Sequence, residues 1–370
     1  MRKVLYTANL ATHILAFHLP YLKWFKEQGF EVHVAFYGDE GIPHADKVWN
    51  IPFGRNPFSK SNIVALRKLW GLFKEHRFDV VHCHTPIAGL ITRLTAVMYR
   101  SKGTNVLYTA HGFHFYKGAP LKNWLTYLPA EWILSLVTDG VITINREDFD
   151  YLHRYHFASG KHKINGIGLD PERLKVNGTD NRSKLRSEIG FSEDEFLVLY
   201  IAEFIDRKNH RFVIENIPYL IQENPELTFL FAGRGVLQDE MEALVRTLQV
   251  EDHVKFLGFR EDIGRFLEIA DMGISSSKHE GLGLGVAEMM FNQLPVVVSN
   301  DRGHRELVDH GSNGFIFEQD NSEQFRYYIS KLYRDKSLRE KVGKAAKESM
   351  DKFMVDKSLE QMTRIYNQYL

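Results

Sequence analysis

Short apolar runs alternate with helix-length amphipathic segments along most of this chain. Residues 3–9 (KVLYTAN), 30–36 (FEVHVAF), 79–84 (DVVHCH), 105–111 (NVLYTAH) and 140–145 (GVITIN) read as buried strands. Between them, residues 15–28 predict a helix ending at Gly29, and 61–77 a second helix with Ser61 placed to cap it. After a less regular stretch, 163–181, with three glycines and Pro171, the rhythm restarts at 196–204 (FLVLYIAEF). A helix over 209–223 follows, then strands over 227–232, 254–258, 272–277, 295–299 and 315–317. Strands separated by helical patterns predict parallel sheets. The expected class is therefore α/β, with two Rossmann-like, doubly wound halves joined near residues 165–185. Ligands of such folds bind beyond the carboxyl ends of the strands, so two facing halves predict a cleft lined by post-strand loops.

With 370 residues, 44% of them apolar and 25% charged, the chain has the make-up of an ordinary globular protein, which excludes disorder and collagen-like classes. Its one cysteine, Cys83, cannot form an internal disulfide, the first residues carry no secretory pattern, and no run reaches about 18 apolar residues. A cytoplasmic protein is expected. The balance of 47 basic and 47 acidic residues argues against a nucleic-acid partner, yet it hides a split. Residues 1–170 carry a net +7 and the remainder −7, and 12 of the 17 histidines lie in the first half. A basic first half suits an acidic partner or an anionic membrane surface. Helix 61–77 combines Arg67, Lys68, Lys74 and Arg77 with Leu69, Trp70, Leu72 and Phe73, preceded by the basic-aromatic segment 55–60. It reads either as an interfacial helix or as a surface helix whose apolar stripe packs on the sheet.

The loop with the richest chemistry is 275–288, Ser-Ser-Ser-Lys-His-Glu-Gly-Leu-Gly-Leu-Gly-Val-Ala-Glu. It follows a strand, carries glycines at 281, 283 and 285, and runs into an apolar helix. Glycines permit close backbone approach, and free amides at a helix start favour a phosphate. It is neither a P-loop nor a dinucleotide GxGxxG. Glu280 and Glu288, eight residues apart, would repel a phosphate and are better suited to sugar and ribose hydroxyls; the alternative is a glycine-rich turn with a solvated glutamate pair. His82 and His84 alternate on one strand face and could be taken for metal ligands, but two fall short of a site, and no metal is expected.

Glu280 and Glu288 with the glycines between them resemble the E-x7-E motif of retaining glycosyltransferases of GT-B fold, glycosyltransferase family 4. His82-Cys-His-Thr-Pro86, the 109–120 segment TAHGFHFYKGAP, Lys208-Asn209 and Arg302-Gly-His-Arg-Glu-Leu307 are also similar to that family, in particular to its capsule and exopolysaccharide branch. The resemblance implies a GT-B fold with an acceptor-binding domain over 1–170, joined by a helix at 355–370, and a nucleotide-sugar-binding domain over 171–354. It implies transfer of a hexosyl or N-acetylhexosaminyl group from a UDP-sugar to a glycan or lipid-diphosphate-linked acceptor in polysaccharide synthesis, without a cofactor. Glu288 would hold the ribose and Glu280 the donor sugar. The 281–285 backbone (Gly281, Leu282, Gly283, Leu284) would lie near the diphosphate, Lys208 would offset charge on the leaving group, and Arg260 would sit in the turn beside the base. His111 would lie beside the reacting centre, with His13, His114 and Lys117 shaping the acceptor site. The chain departs from the family at Glu203, where an arginine is usual; Arg207 is the candidate replacement. Retention would follow a front-face path, with Glu280 orienting the sugar. Two rivals remain: a nucleotide-sugar 2-epimerase on the same fold, and a non-catalytic nucleotide-sugar-binding protein.

Overall fold

The computed structural model of the chain describes residues 1–370 apart from Arg55 and 176–181. The first residue of the basic segment 55–60 and the end of the irregular stretch 163–181 thus lie outside the described residues. The chain divides into two compact units, Met1–Gly168 with Val355–Leu370, and Leu169–Met354.

The first unit is built on strands β1 (Lys3–Leu10), β2 (Glu31–Tyr37), β3 (Lys47–Asn50), β4 (Val80–His84), β5 (Asn105–Ala110), β6 (Gly140–Thr143) and β7 (Gly160–Lys163). They form one sheet in the order β3-β2-β1-β4-β5-β6-β7, every pair parallel. The second unit carries β8 (Phe196–Ile201), β9 (Leu227–Ala232), β10 (Val254–Gly258), β11 (Met272–Ser275), β12 (Val296–Ser299) and β13 (Phe315–Phe317). Their order is β10-β9-β8-β11-β12-β13, again all parallel. Both sheets reverse direction of winding beside their first strand, the topological switch point at which such folds bind ligands. The central strands are continuous apolar runs because helices cover both faces: all five residues of β4 and all four of β12 are buried.

Two local expectations are corrected, and one left open is decided in part. The helix expected over 15–28 is two helices, Ala11–Phe17 and Leu19–Glu27, meeting at His18. Pro20 has no N–H to continue the first helix and is well placed in the first turn of the second. Ser61 is the first helical residue rather than the cap: Lys60 holds the cap position without a side-chain bond, and the Ser61 hydroxyl pairs with Ser59 at 2.8 Å. The helix Ser61–Glu75 buries Ala65, Leu69, Leu72 and Phe73 against the sheet, so that stripe is core, while Ile63, Val64 and Leu66 are exposed on the other side.

The helix Val355–Tyr366 belongs to the first unit. Its buried Tyr366 stacks on Trp24 and packs on Phe25, with ring centroids 5.5 and 4.6 Å away. The Tyr366 hydroxyl meets the Tyr6 hydroxyl and lies 2.8 Å from His82 Nδ1. Among the described residues no helix is long and apolar enough to cross a membrane.

Candidate active site

At the carboxyl ends of β8, β9 and β10 a cavity of about 750 Å³ opens, its wall including Arg173, Glu203, Gly233, Arg260 and Glu288. Part of the wall is bare backbone. Gly233 has φ +154°, and a Cβ there would come 1.9 Å from the Ala202 carbonyl oxygen, so only glycine fits. Glu288 is the fifth residue of the helix Leu284–Phe291 and is partly buried. Burial pushes its carboxyl up to about 7, with Arg173 pulling the other way. A carboxyl so raised is an uncommitted hydrogen-bonding group facing a cavity, the condition expected of a ligand-binding acid.

Glu280 has the opposite electrostatics. It is 7% exposed, and burial alone would raise its carboxyl. Lys208, then His304 and Arg207, outweigh that cost and hold it down to about 2. Lys208 Nζ bonds Glu280 Oε1, and Arg207 Nη1 lies 3.4 Å from Oε2 and donates to the His279 carbonyl at 3.2 Å. The loop bearing both cations is fastened from beneath. The Tyr200 hydroxyl donates to the Lys208 carbonyl, the Ser276 hydroxyl to the Asn209 carbonyl at 2.9 Å, and the Lys278 amide to the Arg207 carbonyl at 2.8 Å. Asn209, at φ +54°, then turns the chain into the helix His210–Glu223.

The Glu280 backbone is equally fixed. Asp301 Oδ1 accepts from the amides of Glu280 (3.0 Å) and Gly303 (2.8 Å), and Arg302 Nε donates to the Glu280 carbonyl at 3.2 Å. Gly303 is the point of closest approach: a Cβ there would sit 2.8 Å from Glu280 Cβ and 2.9 Å from the Leu282 backbone. Gly303→Ala should therefore displace the Glu280 loop and lower the unfolding midpoint; a thermal melt checks this, and an unchanged midpoint would refute the tight-contact account.

Leu282 is buried, Gly283 (φ +93°) forms the turn into the helix, and no side chain caps that helix start. His304 lies against this turn. Its Nδ1 donates to the Ser299 carbonyl at 2.9 Å, while its buried Nε2 has no hydrogen-bond partner and lies 3.5 Å from where a Gly283 Cβ would be. A carbonyl only accepts, so Nδ1 carries a proton, while Nε2 faces the turn beside Glu280 with no hydrogen-bond partner. Neither His304 nor Asp301 has a role legible in the sequence, because their spacing from Glu280, 24 and 21 residues, carries no local signal.

The second unit thus brings together Glu280, Lys208 and Arg207, with Gly281–Leu284 wrapped beside them. Glu288 and Arg260 line the cavity. Arg260 is already engaged, bonding both Asp262 oxygens at 2.7 Å with its guanidinium 4.9 Å over Phe266, so it shapes the turn more than it offers a free charge.

In the first unit His111 follows β5, its Nε2 3.2 Å from both His13 Nε2 and His84 Nδ1. His114 and Lys117 belong elsewhere on that loop: His114 stacks on Tyr127 with centroids 4.5 Å apart, and Lys117 is exposed, its amide bonded to Glu147. His82 is not a ligand partner of His84, because Tyr366 Oη and Thr109 Oγ1 occupy its two nitrogens, each at 2.8 Å.

Comparison with known proteins matches this architecture. Residues 21–173 fit the family described as Glycosyltransferase Family 4, and residues 181–349 the family described as Glycosyl transferases group 1. EpsD of Bacillus subtilis, named as a glycosyltransferase, is 40% identical over 370 residues, covering 100% of this chain and 97% of that protein. The Escherichia coli UDP-Gal:alpha-D-GlcNAc-diphosphoundecaprenol alpha-1,3-galactosyltransferase is 26% identical over 77% of this chain and 74% of its own. The crystal structure of Anabaena HepE in complex with UDP and glucose superposes over 100% of both chains, with a TM-score of 0.81 at 21% identity. With both halves matched by these profiles and its full length by a 40% identical relative, the chain belongs to the GT-B glycosyltransferases, with a family 4 N-terminal part and a group 1 C-terminal part.

Proposed function

We propose that this protein is a retaining glycosyltransferase that moves a hexosyl or N-acetylhexosaminyl group from a UDP-sugar to a glycan or lipid-diphosphate-linked acceptor in bacterial polysaccharide synthesis. The observation that carries this reading is the pairing of two glutamates with opposed electrostatics in one unit: ionised Glu280 clasped by Lys208 and Arg207, and Glu288 facing the cavity with its carboxyl raised to about 7. The donor's nucleoside would enter the cavity with its ribose on Glu288, and its sugar hydroxyls would bond Glu280. Lys208 and Arg207 would take the charge that grows on the departing diphosphate, so no metal is needed there. Held at about 2, Glu280 is ionised throughout the neutral range, which suits an acceptor of sugar hydroxyl bonds and not a proton donor. The diphosphate oxygen would then assist deprotonation of the attacking hydroxyl on the front face. The relatives support the substrate class: HepE was solved with UDP and glucose, and the Escherichia coli enzyme is named for UDP-galactose and a diphosphoundecaprenol acceptor.

The test is a thermal-shift panel of UDP-, GDP- and ADP-sugars, followed by NMR of the product. UDP-sugars alone should raise the midpoint, by RT ln(1 + [L]/Kd) in stability, and the new linkage should keep the donor's anomeric configuration. Inverted product, or stabilisation by another base, would overturn the corresponding part. Conversion of donor in the absence of acceptor would favour the epimerase reading.

We also propose peripheral attachment to anionic membrane, through a surface other than the helix at 61–75. The helix Leu121–Ser135 buries only Leu134 and Ser135, while Leu121 and Leu125 are 72% and 69% exposed and Ile133 and Leu136 are exposed beyond them. Lys117 and Lys122 flank its start. An apolar face beside basic residues is the make-up of an interfacial helix. Anionic liposomes should retain the protein in flotation, with retention falling as salt rises and lost in L121S/L125S; salt-insensitive absence of binding would sink the proposal.

A further inference from the structure

With the donor's ribose on Glu288, its base meets another part of the same cavity wall, which also carries Arg234, Phe259 and Arg260. Arg234 follows β9 and Phe259 follows β10, strands that pair at the edge of the sheet. Their loops are tied together, the Gly233 amide donating to the Gly258 carbonyl at 2.8 Å. Arg234 is held from both sides. The Phe204 amide donates to its carbonyl at 3.0 Å, and at Gly235 a Cβ would come 2.3 Å from the Phe204 carbonyl oxygen. Depth sorts the lining residues: Glu288 is partly buried, whereas Phe259 is 60% exposed and Arg234 is exposed as well. A nucleoside whose ribose sits at Glu288 brings its base to that rim.

Of the two arginines in these loops, one is already spent. Arg260 bonds both Asp262 oxygens. The Arg234 guanidinium has no hydrogen bond or ion pair among the described residues and lies 6.0 Å from the centroid of the Phe259 ring. An exposed aromatic ring beside a guanidinium is a platform on which a base stacks. A phosphate is the other group that a free cation attracts, and the neighbours disfavour it. Glu203 and Glu261 line the same wall, and their carboxylates repel a phosphate while a neutral base carries no such penalty.

A guanidinium donates and never accepts. Uracil presents a carbonyl oxygen, O4, at the ring edge farthest from the ribose. Cytosine has an amino group there, which also donates, and the two bases are otherwise alike in size and stacking surface.

We propose that Phe259 and Arg234 read the base of the donor, Phe259 by stacking on the pyrimidine and Arg234 by donating to uracil O4, so that the site selects UDP over CDP. The inference rests on the nucleotide-sugar reading of the cavity.

Calorimetric titration of the full chain with UDP and with CDP tests it. The wild-type chain should bind UDP about tenfold or more tighter than CDP, the scale of one hydrogen bond to a charged group. Arg234→Met keeps an apolar stem without donors, and its preference for UDP should fall to about twofold or less with CDP affinity little changed. Phe259→Ser should weaken both nucleotides alike, by about tenfold, because stacking ignores the exocyclic group. Both side chains are exposed, so thermal melts of the variants should stay close to wild type. Equal losses for UDP and CDP in Arg234→Met would place Arg234 on the diphosphate and overturn the proposal. An unchanged preference in that variant, or full affinity for both nucleotides in Phe259→Ser, overturns it equally. A wild-type chain that binds UDP without preferring it to CDP sinks this inference alone, whereas one that binds neither sinks the nucleotide-sugar reading with it.

Discussion

Glu280→Gln should lower the rate of glycosyl transfer by about 10²–10³-fold, the usual scale for removing one preorganised electrostatic contact. The same change should lower stability. Lys208 and Glu280 are 15% and 9% exposed at their side chains, and deleting one partner of such a pair leaves the other charge stranded at about 3–5 kcal/mol. The two effects separate in a double variant. Lys208→Met with Glu280→Gln removes both charges and should recover most of the lost unfolding midpoint, since an apolar replacement of a buried pair is often neutral. Activity should not recover, because the double variant has neither the sugar contact nor the cation for the leaving group. Near-normal turnover in Glu280→Gln would remove Glu280 from the mechanism. The pair also sets an acid limit. A carboxyl held at about 2 against an ordinary value of 4.5 contributes stability that is complete above about 4.5 and fades as pH falls toward 2.

The second large effect is of opposite sign for stability and for binding. Glu288→Gln should stabilise the ligand-free protein at pH 8 while weakening donor affinity. The folded protein holds the proton on Glu288 up to about 7, against 4.5 for the free side chain. Its favourable contribution is therefore complete below about 4.5 and lost as pH rises through 7. Glutamine removes that loss, so the midpoint should rise at pH 8, by an amount on the order of 1–3 kcal/mol in free energy, and barely change at pH 4.5. Donor affinity should fall, because an amide accepts one ribose hydroxyl bond where a carboxylate accepts two. Melts of both proteins at pH 4.5 and pH 8, with UDP titrated at pH 8, give all four values. A midpoint that does not depend on pH in the expected direction would show that Glu288 has a committed partner.

The doubly wound sheets were legible because buried parallel strands are unbroken apolar runs, as in Val80–His84 and Val296–Ser299. The two strands that escaped, Lys47–Asn50 and Gly160–Lys163, lie at the edges of their sheet, where half-exposed lysines and a histidine replace the apolar signal. Pro20 was visible as a residue, but the helical pattern on either side of it masked the break. At the site, Glu280, Glu288, Lys208 and Arg207 could be read because their motif is local or resembles a known one. His304 and the contacts of His111 with His13 and His84 could not. Spacings such as 13 to 84 to 111 become meaningful only after strand order has placed β1, β4 and β5 side by side.

Because the helix Val355–Tyr366 completes the first unit, that unit is interrupted in the chain by all of Leu169–Met354. During synthesis at about 5–20 residues per second, roughly 200 residues must be added after Gly168 before Tyr366 can reach Tyr6, a delay of about 10–40 s. The second unit is complete sooner after its first residue emerges than the first unit is. The N-terminal sheet is made first, but until the last helix is made Tyr366 cannot cover Trp24 and Phe25.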